Sequence, residues 1–91
     1  MYTFKAHRIS HEDNILFPDI VEIDIDRVLL TKGYVFGHRT NTIFKANIAS
    51  VSLREGVFFA DVCIETMGGA TYWSEGFRKS DARRIVELLT R

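Results

Sequence analysis

Residues 57–77 read VFFADVCIETMGGATYWSEGF. At the centre, Met67-Gly68-Gly69-Ala70 separates two β-rich runs. Paired glycines admit the positive φ that tight hairpin turns need. In the first run Phe58, Ala60, Val62 and Ile64 recur at every second position, which assigns them to the core face of a long strand. Phe59, Asp61, Cys63 and Glu65 then occupy its other face. TYWSEGF returns as the partner strand. A hairpin here makes the chain mainly β.

The pattern changes directly after this hairpin. In KSDARRIVELLTR the apolar residues Ala82, Ile85, Val86 and Leu89 recur at i, i+3, i+4 and i+7, the stripe of an amphipathic helix. Ser80 is the expected N-cap, because a hydroxyl can accept a bond from an orphan amide. Asp81 in the first turn suits the helix dipole. Arg83, Arg84, Glu87 and Thr90 fill the opposite side. A helix over 80–91 is about 18 Å long. It is marginal alone, so it is expected to lie on the sheet or to close the open end of a barrel.

Upstream, IVEIDI alternates strictly, with Val21, Ile23 and Ile25 on one face and Glu22, Asp24 and Asp26 on the other. RVLLTKGYVF follows, apolar on both faces, with a bend expected at Gly33. RTNTIFK is a more polar strand. IASVSL alternates again, with Ala49, Val51 and Leu53 inward. YTFKAHR is a further strand, joined by the loop ISHEDNILFPD, where Pro18 prevents pairing like a central strand. The count is up to seven strands and one C-terminal helix. One mainly β (α+β) domain over 1–91 follows, a barrel or curled sandwich capped by the helix, with 1–19 as N-terminal strand and loop.

Ninety-one residues suit one modest core, and an apolar share of 46% argues against disorder. Twelve basic residues balance twelve acidic ones, so whole-molecule attraction to phosphates is not expected. The single cysteine, Cys63, excludes an internal disulfide. Its neighbours Asp61 and Glu65 oppose the electropositive setting of a reactive thiol. No apolar run reaches the length of about 20 residues that spans a membrane. MYTFKAHRIS lacks the apolar centre of a signal peptide. A cytoplasmic protein is expected.

Three stretches, IDIDRVLLTKGYVFGHRTNTI, KANIASVSLREG and CIETMGGATYWSEGFRKSDARRIVELL, resemble the small bacterial pleckstrin-homology-like (PH-like) domains. The likeness covers about residues 20–91. It rests on a strand–Asp-Arg–strand opening, an IASV strand entry, the Gly-Gly hairpin and the GF-x-K-x-DA-x-x-I passage into the last helix. The resemblance implies a barrel of two near-orthogonal antiparallel sheets plugged by the helix. It implies no catalysis and a binding or assembly role, with self-association common among bacterial members. Family members that bind phosphoinositides carry Arg-x-Arg in the second strand. Here Lys32 and Arg39 are followed by Thr40-Asn41, so the second arginine is missing.

Candidate sites are few. Arg78, Lys79 and Arg83 surround the helix start and could hold an anion, a lipid headgroup or nucleic acid. Asp81 repels anions there, and Arg83 to Glu87 and Arg84 to Asp81 or Glu87 are available helix pairs. The cluster therefore reads first as a solvated helix face. His7 and His11 stand four apart beside Glu12 and Asp13, but a strand running into a loop would not converge them on a metal. His38 falls in a turn. No phosphate loop, serine elbow or spaced carboxylate pair appears. No cofactor is expected, and no enzyme. Seven Phe, three Tyr and one Trp exceed what one small core requires, so some, Tyr34, Phe36 and Phe59 among them, are expected on the outer sheet surface, either shielded by Leu16 and Phe17 of the N-terminal segment or forming a protein–protein surface. Tyr34, Phe36 and Phe59 are the expected anchors of a homo-oligomer or of a contact with another protein, beside a polar strand edge at Arg39–Lys45.

Overall fold

The structure is a computed structural model that describes residues 1–6, 19–34 and 37–90, with side chains described except at 33, 34, 37 and 38. Strands β1 (Tyr2–Lys5), β2 (Ile20–Ile23), β3 (Arg27–Tyr34) and β4 (Gly37–Phe44) form one antiparallel sheet in chain order. The 3-10 turn Lys45–Asn47 leads into β5 (Ile48–Glu55), β6 (Phe59–Thr66) and β7 (Thr71–Arg78), the second antiparallel sheet. Helix α1 (Lys79–Leu89) ends the chain and packs on β5, β6 and β7.

The inner faces meet in one core. Val21, Ile23, Val28, Leu30 and Ile43 come from the first sheet, and Ala60, Val62, Ile64 and Phe77 from the second. Ala82, Ile85, Leu88 and Leu89 come from the helix. Ala60, Val62 and Ile64 of β6 and Ala82, Ile85 and Leu89 of α1 thus take the buried places expected of them. Leu88 joins the stripe although the i, i+3, i+4 pattern omitted it, and Val86 packs only at the margin.

The central hairpin forms as expected, with Glu65 opposite Thr71. Gly69 supplies the positive φ, at 88°. A second glycine has a role the alternation hid. Register jumps from Ala60–Phe77 to Val62–Ser74, so β7 carries one extra residue. Gly76 absorbs this bulge at φ 84°, a conformation that side chains with a Cβ rarely adopt. The bulge also returns Phe77 to the core face.

Several expectations need correction. Ile25 is 89% exposed. β2 stops at Ile23, and Asp24–Arg27 forms a tight turn in which the Asp24 amide donates to the Arg27 carbonyl at 2.9 Å. The Asp24 side chain accepts from the Ile25 amide, a local bond that favours turning over extension. Phe58 is 79% exposed and Val57 81%, because the β5–β6 turn closes between Gly56 and Phe59 and leaves both at its tip. Ala49 is exposed because the β5 register slips between Ile48 and Ser50; Ile48, Val51 and Leu53 pack inward instead. Gly33 makes no break in the ladder, since β3 runs in register to Tyr34, opposite Gly37. The helix begins one residue before Ser80, with Arg78 at the cap and no side-chain capping bond.

No closed barrel is found among the described residues. Among the described residues no strand of one sheet pairs with a strand of the other. β1 and β4 are the edges of the first sheet, β5 and β7 those of the second. Residues 9–18 of the expected N-terminal loop, and the histidines His7 and His11, lie outside the described residues.

Candidate functional site

The unsealed side of the molecule lies between β4 and β7. Inward positions of the first sheet alternate, so Leu30 and Lys32 on β3, and Arg39 and Asn41 on β4, line one wall of a cavity of about 580 Å3. Tyr72, Trp73 and Glu75 of β7 line the other. A second cavity of about 440 Å3 continues along β4, between Thr42, Ile43 and Phe44 and the β6–β7 turn at Thr66, Met67 and Gly68. Tyr72 borders both cavities, so they adjoin along β4, and together they are called the trench below. Three large apolar side chains exposed to solvent lie along it: Trp73 at 38%, Phe44 at 48% and Met67 at 70%.

One end of this trench is fastened by charge. Asp19, just before β2, is 1% exposed. Its Oδ2 accepts from Lys32 Nζ at 2.7 Å and from the Glu75 amide at 2.9 Å. Lys32 also lies 3.5 Å from Glu75, and Glu75 lies 3.6 Å from Arg54. Arg54 donates twice to Asp61, from Nε at 3.1 Å and Nη2 at 2.7 Å. This bond, above all, raises the guanidinium pKa of Arg54. Asp61 in turn accepts the Gly76 amide at 2.9 Å and so satisfies the bulge. The signs alternate from Asp19 to Asp61, and the chain of contacts runs from β3 of one sheet to β5, β6 and β7 of the other. A buried carboxylate is expensive without partners, and these carboxylates have them. Among the described residues Asp19 Oδ1 alone is buried with no hydrogen-bond partner. Arg54 also stacks 4.4 Å over the Trp73 ring, which holds that aromatic beside the trench.

The residues singled out from sequence fall in different places. Tyr34 ends β3 beside the trench-forming hairpin. Its side chain, and the whole of Phe36, lie outside the described residues. Phe59 is half-buried on the second sheet, opposite Arg78, so the structure does not bring it to the β4 edge. The polar edge expected at Arg39–Lys45 is present as β4, an edge strand.

The basic cluster is partly spent. Arg83 donates to Glu55 from Nε at 3.0 Å and Nη2 at 2.7 Å, across to β5 rather than to Glu87. Arg84 pairs with Glu87 and lies 5.6 Å from the Tyr2 ring. Arg78 is exposed at the end of β7, and Lys79 opens the helix. Cys63 is buried and unpaired. Among the described residues no group of three or more His, Cys, Asp or Glu is placed to hold a metal, and no helix is long and apolar enough to cross a membrane.

Asp19, Arg54, Asp61, Trp73 and Glu75 were not singled out as site residues in the sequence, and Lys32 was weighed only against the phosphoinositide motif. Pro18-Asp19 ahead of a strand was the only local sign, and it signalled a turn. No family model matches the chain, and no curated protein matches it.

Proposed function

We propose that this chain is a non-catalytic binding or assembly module that joins polypeptides at its open strand edges, with a second copy of itself as the first partner. The single observation that carries this is the trench: two edge strands, β4 and β7, face it unpaired with each other, and exposed Phe44, Met67 and Trp73 stand along it. An unpaired edge offers main-chain donors and acceptors to another strand. Apolar side chains beside it add specificity to bonds that any sequence can make. The net charge of zero adds no repulsion between copies. A four-stranded meander, a three-stranded meander and a terminal helix, in that order, support the reading as a PH-like module. On this reading Tyr34 and Phe36 anchor the contact, Phe59 sits apart on the second sheet, and the module acts in the cytoplasm.

Light scattering tests this across micromolar to millimolar concentration. The wild type is expected to exceed the monomer mass, and Tyr34→Asp with Phe36→Asp to give a folded monomer. A wild type that stays monomeric throughout contradicts self-association.

A further inference from the structure

The two cavities along β4 differ in chemistry. In the first, Lys32 is held by Asp19 and lies within ion-pair distance of Glu75. Arg39 is exposed on the same wall and makes no ion pair among the described residues. Among the described residues the first cavity therefore presents one uncommitted cation, Arg39. The second is bordered by Ile43, Phe44, Met67 and Tyr72, and none of the described residues that line it is charged.

The opposite wall is prepared for main-chain bonding. The Glu75 amide points away from β6, toward Asp19. Strand amides alternate sides with a period of two, so those of Trp73 and Thr71 point the same way. Asp19 already shows the chemistry: a carboxylate oxygen accepts at once from a β7 edge amide and from a trench cation.

We propose that the trench receives an extended acidic segment of another protein, which lies between β4 and β7 as an added strand. Its carboxylate pairs with Arg39, and an apolar side chain enters the second cavity. Arg39 and Ile43 stand four residues apart on the same face of β4, a span of about 13 Å. The incoming acidic and apolar residues are therefore also four positions apart. This rests on the strand-edge reading above but commits to a different partner, recognised by charge.

Selection from a random decapeptide display library against the intact protein tests it. Sequences with Asp or Glu four positions from an aromatic or aliphatic residue are expected to enrich. Because Arg39 is exposed, Arg39→Glu keeps the fold. It is expected to weaken the best wild-type peptide roughly tenfold or more and to shift selection toward Lys or Arg at the charged position. No enrichment, an enriched set without this spacing, or an unchanged acidic preference in Arg39→Glu overturns the inference. Light scattering on the same samples keeps the two readings apart. A self-associating protein that selects no acidic sequence contradicts this inference alone; a monomer that selects one contradicts self-association alone.

Discussion

The helix side and the β4–β7 side of the molecule are held together by opposite means. Under α1, Ala82 and Ile85 are fully buried among Phe77 and the inner residues of β6. Between β4 and β7 a row of alternating charges fastens one end, and the remainder stays open with Arg39 exposed and Trp73 in part exposed. Apolar burial is non-directional and rewards filling a gap permanently. Charged and main-chain groups at an edge remain able to exchange partners. The difference teaches where to look for function: the helix side is committed to stability, and the trench side keeps bonding capacity in reserve.

The largest expected effect lies on the committed side. Ile85→Ala should cost about 2–5 kcal/mol through lost burial and the cavity left behind, read from the midpoint of urea unfolding. A cost below about half a kilocalorie, typical of surface sites, would break the comparison by placing the stripe outside the core.

The clasp should give less. Lys32→Met leaves the Asp19 carboxylate with the Glu75 amide as its one partner among the described residues. Breaking a fully buried pair costs about 3–5 kcal/mol. Lys32 is 27% exposed, so water offsets part of that and about 2 kcal/mol is expected. A stabilised variant would show that the clasp constrains the trench at the expense of stability, which sharpens the contrast with α1.

How much of this was legible follows the range of the interactions. The α1 stripe and the β6 alternation repeat within a few residues, so periodicity displayed them, and Gly68-Gly69 marked its own turn. Ile25 and Phe58 misled because alternation continues past a strand's end: the sequence pattern does not register that Asp24 bonds its neighbour's amide or that the turn closes at Gly56. Asp61 was assigned to the face of β6 away from the core, yet it is buried, because Arg54 and the Gly76 bulge supply partners that no spacing rule announces. The clasp was the least legible. Asp19 reaches an amide 56 positions away, and only the meeting of two sheets creates that contact. The basic cluster shows the same lesson in reverse: Arg83 had a local partner available in Glu87 and bonded Glu55 instead.

The central claim, that the β4–β7 side is a bonding surface, is tested most directly by residue-resolved amide hydrogen exchange at low and high protein concentration. The account predicts that amides of β4 and of Thr71 and Trp73 gain protection as concentration rises, while those of β6 do not change. Protection that appears with concentration elsewhere, with β4 and β7 unaltered, would contradict it.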